Sequence, residues 1–354
     1  MFLQHSGIAM IFVFMPIIAK QVTESIFEIG IIVSAFSLAQ ILSELYFGRI
    51  SDKKSVRLSF IKFGFLGCSI TFGLHYFAYD AISLLIIRMC AGMTSGMMIP
   101  SMLAYIYENE KDKKKVTSVI SFHALGWLVG IVIGGLTNNE KSIFVISSIF
   151  FLIGFIISNK LPQAKIVKKI DASTKEVFLT NKFLFLSLLL RHIGAASVWT
   201  ILPIMLVDIL NAKFYEISFV YISNTLTAFL IMNVMAYKIS LKNITKFKIG
   251  IGLTAFVFIG LSLINEWWMA IPFMALVGGT WAFIFIGGNF HLMENNPKST
   301  ATGIFSSTLS ISSVIGPIFA GIFAFYFGYT TVIYFAIIVI IIAYIISLKI
   351  NELN

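Results

Sequence analysis

Long apolar runs separated by short polar stretches follow one another along the whole chain. Each of twelve runs comes close to or exceeds the roughly 20 residues that a helix needs to cross a bilayer. They cover residues 1–19, 28–47, 58–77, 82–106, 116–136, 142–159, 183–208, 215–236, 249–265, 267–291, 300–324 and 328–348. Runs such as 332–348 lack the alternation of apolar and polar positions that membrane β-strands show. The pattern therefore predicts an all-α integral membrane protein with twelve transmembrane helices.

The composition excludes a soluble protein. Of 354 residues, 58% are hydrophobic and only 12% are charged, which is roughly half the charged fraction of soluble domains. The longest connection, 160–182, is too short for a separate domain outside the membrane. Cys68 and Cys90 both lie within apolar runs, so neither a disulfide framework nor a cysteine zinc site is expected. The first run leads into polar residues without a small-residue cleavage site, so no cleaved signal is expected.

The distribution of basic residues predicts the orientation in the membrane. With twelve spans, most of the 26 lysines and arginines fall in connections on one side. The positive-inside rule places that side in the cytoplasm. Both termini of a multi-pass plasma-membrane protein are therefore expected in the cytoplasm. The net charge of +10 then reflects topology, and no nucleic-acid partner is expected.

The two halves of the chain resemble each other. Residues 3–17, LQHSGIAMIFVFMPI, align with residues 190–204, LRHIGAASVWTILPI. Further matches at nearly the same offset pair 50–57 with 239–246 and 130–135 with 316–321. Internal repeats of this kind are typical of secondary transporters. We therefore predict two pseudo-symmetric six-helix bundles. Their bounds are 1–159 and 183–354, joined by a cytoplasmic linker at 160–182.

Three motifs in the first half carry a family resemblance. They are Gly48, Asp52, Lys53 and Arg57 after the second run, RMCAG at 88–92 in the fourth run, and GWLVGIVIGG at 126–135 in the fifth run. They resemble the loop, fourth-helix and fifth-helix motifs of the major facilitator superfamily of secondary transporters. The last of the three is similar to the glycine motif of the antiporter branch. Together with the repeat and the topology, the resemblance spans the whole chain.

The loop motif has a proposed role in gating. We expect Gly48 to end the second helix where a side chain would hinder close approach. Asp52 is then placed to accept hydrogen bonds from a nearby helix N-terminus. The resemblance implies that the loop of Gly48, Asp52, Lys53 and Arg57 locks one face of the transporter closed. The alternative is a solvated cytoplasmic loop that obeys the positive-inside rule.

Small residues at helical spacing predict close helix packing in lipid. Gly126, Gly130 and Gly134 recur every four residues on one face of the fifth helix. This packing role holds whether or not antiport is the mechanism. The residues assigned to helix packing are Gly92, Gly126, Gly130, Gly134, Gly135, Gly316 and Pro317.

Two arginines lie deep within apolar runs, where a charge is costly unless it faces a cavity or a partner. Arg88 is in the fourth run and Arg191 is in the seventh. Only one carboxylate, Glu44, sits clearly within a run. We therefore favour a substrate or coupling role for both arginines, with a structural role as the alternative.

Several other polar residues are candidates for coupling or substrate contact. Histidine titrates near physiological pH and could carry a coupling proton. His5 and His192 occupy equivalent positions of the repeat, and His123 lies in the fifth run; a neutral packing role is the alternative. The resemblance implies that helices one, four, seven and ten line a central cavity. It makes Ser6, Arg88, Thr200 and Trp281 candidate wall residues.

The prediction for function is a secondary transporter that works by alternating access, with residues 1–159 moving against 183–348. Export of a small organic solute by proton antiport is the preferred hypothesis, and uptake of a small organic or anionic solute by uniport or symport is the alternative. A different class of function would be a non-transporting membrane sensor or an intramembrane enzyme. No common metal-binding or phosphate-binding motif occurs, so no enzyme activity, metal or cofactor is expected. The expected partners are a small-molecule substrate, the lipid bilayer and protons, for a monomeric protein.

Overall fold

The computed structural model describes residues 1–54, 56–109, 113–137, 139–162, 174–238, 241–296 and 298–350. Every regular element in these ranges is a helix, which confirms the all-α prediction. The helices are α1 Phe2–Phe12, α2 Met15–Lys20, α3 Ile26–Lys54, α4 Arg57–Leu74, α5 Ala81–Asn109, α6 Lys113–Leu136, α7 Glu140–Ser158, α8 Thr174–Thr180, α9 Lys182–Asp208, α10 Phe214–Lys238, α11 Asn243–Leu261, α12 Ala270–Asn295, α13 Lys298–Phe327 and α14 Tyr329–Leu348. Short 3-10 helices at His75–Phe77 and Trp267–Met269 follow α4 and precede α12.

The predicted membrane spans agree with these helices. Within the described ranges, eleven helical segments are long and apolar enough to cross a membrane. The span predicted at 116–136 corresponds to α6, whose apolar part Phe122–Leu136 is shorter. The first span is divided between α1 and α2, just before Pro16, which takes an early position of α2. A proline there is tolerated because the first turn of a helix has free N–H groups in any case.

Several helices continue past the apolar runs that predicted them. The expectation that Gly48 ends the second helix is wrong, because α3 continues through Gly48 to Lys54. Helix α5 likewise reaches Asn109 and α10 reaches Lys238. A helix satisfies its own backbone hydrogen bonds whether its surroundings are lipid or water, so hydropathy marks the bilayer and not the helix end. The short helix α8 was also missed, within the connection 160–182.

The chain divides into two compact units, Met1–Lys168 and Lys169–Asn354. The division falls inside the connection 160–182. In the first unit, α5 packs against α3 and α4, α6 packs against α1, and α7 packs against α4 and α1. In the second unit, α12 packs against α10 and α11, α13 packs against α9, and α14 packs against α11 and α9. Each of these contacts in one unit thus has its counterpart in the other, as expected for a structural repeat.

Matching glycines mark the closest helix contacts in both units. A Cβ atom on Gly64 of α4 would lie 2.5 Å from Met98 Cβ on α5. In the second unit, a Cβ on Gly250 of α11 would lie 2.7 Å from Ile284 Cγ1 on α12. Both members of the second pair lie 186 positions after the first pair. The repeat therefore extends to individual contacts between helices.

Candidate functional site

Arg191 joins three helices of the second unit. It lies on α9 and only 1% of its surface is exposed. Its Nε and Nη2 each donate to Thr254 Oγ1 on α11 at 3.4 Å. Its guanidinium carbon is 5.6 Å from the ring centre of Trp281 on α12, a cation–π contact that gains strength when desolvated. The arginine thus rests on an aromatic face and a hydroxyl group.

Arg88 has a similar environment in the first unit. It lies on α5, is 2% exposed, and donates from Nη2 to the backbone oxygen of Val33 on α3 at 3.4 Å. Its guanidinium carbon is 4.6 Å from the ring centre of Phe36, also on α3. Its Nε has no hydrogen-bond partner within the described ranges. Hydrogen bonds of this length are weak.

Neither arginine forms a salt bridge with any carboxylate that the structure describes. From the sequence, a structural role and a substrate role were both open for these residues. The contacts show each arginine linking helices within its own unit. The incomplete hydrogen bonding of Arg88 also leaves donor capacity unused. A buried guanidinium group with spare donors is suited to binding an anionic or strongly polar group.

The repeat places different residues at the positions equivalent to the two arginines. Arg191 corresponds to Gln4, and Arg88 corresponds to Met274. Gln4 is fully buried, and neither its Oε1 nor its Nε2 has a partner in the described part of the chain. Gln4 was missed from the sequence, although the alignment of residues 3–17 with 190–204 already pairs it with Arg191. Unpaired polar groups in a core are costly and call for a functional explanation.

The three candidate histidines occupy two places. His5 on α1 and His123 on α6 contact each other edge to face, with ring centres 4.2 Å apart. His5 Nδ1 is also 2.9 Å from the backbone oxygen of Met1. His192 lies beside Trp281, with ring centres 5.6 Å apart, and its Nδ1 has no partner among the described residues. The first pair lies where α1 meets α6, and His192 lies next to the Arg191 site.

Two of the four predicted wall residues bond only within their own helix in the contacts that the structure gives. Ser6 is fully buried and its hydroxyl donates to Phe2 O at 3.0 Å. Thr200 is 3% exposed and its hydroxyl donates to Ala196 O at 2.9 Å. Bonds of this kind satisfy a hydroxyl group inside an apolar helix without a partner from elsewhere. The other two, Arg88 and Trp281, belong to the arginine environments.

The glycine motif of α6 lies against α1. A Cβ atom on Gly126 would lie 2.6 Å from Phe2 O, and one on Gly130 would collide with Ser6 O. A Cβ on Gly134 would lie 2.7 Å from the ring of Phe14. All three glycines therefore permit a close approach that any side chain would prevent. The neighbouring Gly135 is buried in the same helix.

The remaining packing residues lie on α5 and α13. A Cβ on Gly92 would collide with Phe36 O of α3, next to the Arg88 contact. A Cβ on Gly316 would lie 2.6 Å from Ala196 Cβ and 2.8 Å from Ile193 O, both on α9. Pro317 follows inside α13.

The gating residues are only partly described. The backbone of Gly48, Asp52 and Lys53 belongs to α3, and the side chains of Asp52 and Lys53 lie outside the described part of the structure. Arg57, at the start of α4, donates from Nη1 to Ser51 Oγ at 2.9 Å. Ser51 Oγ also accepts from Ser101 Oγ at 3.1 Å. One serine of α3 is thereby tied to α4 and to α5, next to the predicted gate.

Glu44 is a carboxylate within the membrane part of α3. It is half-buried, and its Oε1 accepts from Gln40 Nε2 one turn earlier at 2.8 Å. Among the described residues, no group of three or more histidine, cysteine, aspartate or glutamate side chains could hold a metal ion.

The family model of the Major Facilitator Superfamily matches residues 1–301. The chain belongs to this superfamily. Members of the family are transporters, so the protein is a multi-pass membrane transporter and not an enzyme.

Two curated relatives extend over most of the chain. The multidrug resistance protein MdtG of Proteus mirabilis (strain HI4320) is 25% identical over 370 residues, covering 94% of this chain and 89% of its own. The quinolone resistance protein NorA of Staphylococcus aureus (strain COL) is 23% identical over 340 residues, covering 90% of this chain and 87% of its own.

Solved structures of other family members share the fold. A point mutant of the nucleoside transporter NupG superposes with a TM-score of 0.81 at 12% identity, over 99% of this chain and 98% of its own. A bacterial homologue of the human lysosomal transporter Spinster, inward-facing and occupied, gives 0.76 at 14% identity, over 98% of this chain and 93% of its own. At these identities the likeness concerns the fold alone.

Proposed function

We propose that this major facilitator protein exports small organic solutes by proton antiport, through alternating access. The observation that carries the proposal is the contact between α1 and the glycines Gly126, Gly130 and Gly134 of α6, since that glycine motif resembles the one of the antiporter branch. The relatives named for multidrug and quinolone resistance support export. The protein acts as a monomer in the plasma membrane, with both termini in the cytoplasm.

An antiporter needs a group in the membrane that gains and loses a proton. Ionisable residues within transmembrane segments commonly form such relays. Among the described residues, the candidates are Glu44, which accepts a hydrogen bond from Gln40, and the histidine pair His5 and His123. Each unit supplies its own polar contacts for substrate, from Gln4 and Arg88 in the first and from Arg191 in the second.

Transport into proteoliposomes with an imposed pH gradient tests this proposal. Vesicles that are acidic inside should accumulate a fluoroquinolone or ethidium when the protein is present, and an ionophore that removes the gradient should abolish accumulation. A Glu44→Gln variant should lose the dependence on the gradient. Solute accumulation that does not depend on the pH gradient would reject proton antiport. If no solute of a broad panel crosses the membrane, the result would favour the alternative of a non-transporting membrane sensor.

A second function, uptake of an anionic solute, rests on a different observation. Arg88 and Arg191 are two buried cations, and no described carboxylate pairs with either. Within its own unit, each of these cations would favour an anionic solute, because charge interactions are strong in low-dielectric surroundings. Competition by organic anions in the same vesicles, with no competition by lipophilic cations, would favour this function over multidrug export.

A further inference from the structure

A small cavity opens among helix ends of the first unit. It lies between the end of α2, the 3-10 helix after α4, and the starts of α5 and α7, and its volume is about 50 Å³. This is several times the space one water molecule needs, and far below the roughly 300 Å³ or more of a site for drug-sized ligands. The cavity therefore fits one small polar group and not a transported drug.

His75 lines this cavity and is itself 1% exposed. Its ring stacks on Phe144, with ring centres 5.3 Å apart, and its Nδ1 is 3.0 Å from Thr71 O. Because that contact requires the proton to be on Nδ1, the neutral ring has an acceptor at Nε2. Nε2 has no partner among the described residues. Nε2 is itself buried, and a hydroxyl group that enters the cavity and reaches it would satisfy this costly unpaired nitrogen.

Lys141 supplies a cation to the same cavity. Its side chain is exposed, and its Nζ lies 5.3 Å from the ring centre of Tyr76 and 5.4 Å from that of Tyr79. The two rings hold the ammonium group in place without neutralising it. Gln21 also lines the cavity. The lining thus combines a positive charge for an anionic oxygen with an acceptor for a hydroxyl group.

The surrounding residues place the cavity at the level of lipid headgroups. Tyr76, Phe77 and Tyr79 are 37%, 58% and 68% exposed, and they lie where α4 ends and α5 begins. Exposed aromatic rings beside helix ends are typical of the boundary between bilayer and water. The predicted topology makes this the outer leaflet.

We propose that this cavity binds the headgroup of an anionic glycerophospholipid that carries a free hydroxyl group, such as phosphatidylglycerol. The phosphate oxygen contacts Lys141 Nζ, and the headgroup hydroxyl donates to His75 Nε2. Free glycerol phosphate offers the same chemistry, so the test separates the two sources. The site is independent of the transport function proposed above.

Native mass spectrometry of the purified protein tests the proposal. Phosphatidylglycerol and phosphatidylcholine with the same acyl chains are added in equal amounts, and the bound lipid is identified. Wild type should retain phosphatidylglycerol in preference. Lys141→Gln and His75→Phe should each reduce this preference by about tenfold, the effect of one lost hydrogen bond to a charged or buried group. Lys141→Arg should keep it.

Lys213→Gln is the matched control. Lys213 is an exposed lysine whose Nζ lies 6.0 Å from the ring centre of Tyr215, and it does not line this cavity. Its replacement should leave the lipid preference unchanged. Equal retention of both lipids by wild type, or equal effects of Lys213→Gln and Lys141→Gln, would overturn the proposal. If His75→Phe does not fold, the lipid preference of the Lys141 variants tests the proposal by itself, since the Lys141 side chain is exposed.

Melting temperature distinguishes the lipid from its free counterpart. Phosphatidylglycerol should raise the melting temperature of wild type in detergent more than that of Lys141→Gln. Free glycerol phosphate at the same concentration should have no such selective effect. Selective stabilisation by glycerol phosphate, with none by the lipid, would reject a lipid site.

Discussion

The α1–α6 contact of the first unit and the α9–α13 contact of the second unit are equivalent in the repeat, yet they are held together differently. In the first, Gly126 lies against Phe2 O and Gly130 lies against Ser6 O. At the corresponding place in the second, the hydroxyl group of Ser312 is shared between Leu189 O of α9 at 3.0 Å and Thr308 O of its own helix at 2.9 Å. The hydroxyl group of Ser197 is likewise shared between Gly316 O of α13 and Ile193 O of its own helix, both at 2.9 Å. One contact rests on close backbone approach, and the other adds directional hydrogen bonds between helices.

This difference indicates that two equivalent helix contacts can resist sliding of the helices to different degrees. Van der Waals contact between smooth helix faces changes little in energy when the helices slide by a small amount. A hydrogen bond weakens steeply with misalignment. We therefore expect α1 and α6 to shift more easily during transport than α9 and α13. Four sets of variants test this comparison and the asymmetry of the buried arginines, from the largest expected effect to the smallest.

Gly130→Ala should have the largest effect, because its new Cβ meets the backbone oxygen of Ser6 and a backbone atom cannot move aside. We expect a loss of about 1–3 kcal/mol of stability and loss of transport. Gly316→Ala, the equivalent change, should cost less, since the backbone oxygen that its Cβ meets, Ile193 O, is farther away, at 2.8 Å. Gly303→Ala is the control, because a Cβ there meets nothing within 4 Å. Melting in detergent measures all three; equal melting temperatures would contradict the prediction.

Arg88→Met exchanges the first arginine for the residue that the repeat has at the equivalent position, Met274. Replacing a weakly bonded buried charge by an apolar side chain of similar length often leaves stability unchanged or increases it. We therefore expect an unchanged or higher melting temperature and a transport rate reduced at least tenfold. Arg88→Lys should restore transport only partly, since its ammonium lacks the planar fork. Parallel loss of melting temperature and transport would assign Arg88 to packing alone.

Asp52→Asn tests the gate, for which the second half has Leu241 at the equivalent position. The change removes a charge with little change in volume. If the carboxylate holds the closed face by one charged hydrogen bond of about 1.5–3 kcal/mol, transport should slow by roughly tenfold. Substrate affinity should change less. The exposed Glu24→Gln serves as control, and a wild-type rate in Asp52→Asn at normal expression would remove the gating role.

Ser312→Ala should have the smallest effect and bears directly on the two helix contacts. It removes the bond to Leu189 O and makes the second contact more like the first. We expect a loss of about 0.5–1.5 kcal/mol, with transport retained. Ser313→Ala is the matched control, because Ser313 Oγ donates to Leu309 O within its own helix. A larger melting shift for Ser313→Ala than for Ser312→Ala would refute the assigned role of the interhelical bond.

Hydropathy predicted the helical spans well because burial of apolar side chains in lipid is a local property of about 20 consecutive residues. It predicted helix ends less well, as Gly48 and the short α8 show, since helices extend into water under the control of polar contacts. Ser51 of α3, tied to Arg57 and Ser101, is one such contact. These partners lie on other helices and leave no periodic signal in the sequence.

The residues of the candidate site also differ in whether the sequence could identify them. Arg88, Arg191 and the glycines of α6 could be identified from the sequence because a charge or a run of glycines is unusual inside an apolar segment. Gln4 could not be selected until its amide proved to be buried, with no partner in the described part of the chain. Likewise His75 and Lys141 lie 66 positions apart, and nothing in either segment indicates a common cavity.

The sequence by itself determined the membrane location, the helical class, the repeat and the family, since all four follow from local composition or from the order of similar segments. Only the tertiary structure decided which polar groups are paired. It placed Trp281 against Arg191 and Phe36 against Arg88, and it left atoms of Gln4 and His75 without a partner among the residues described. The physical reason is that a hydrogen bond or a cation–π contact depends on distances of a few ångströms between separate helices. Those distances are set by how the helices pack, which hydropathy does not encode.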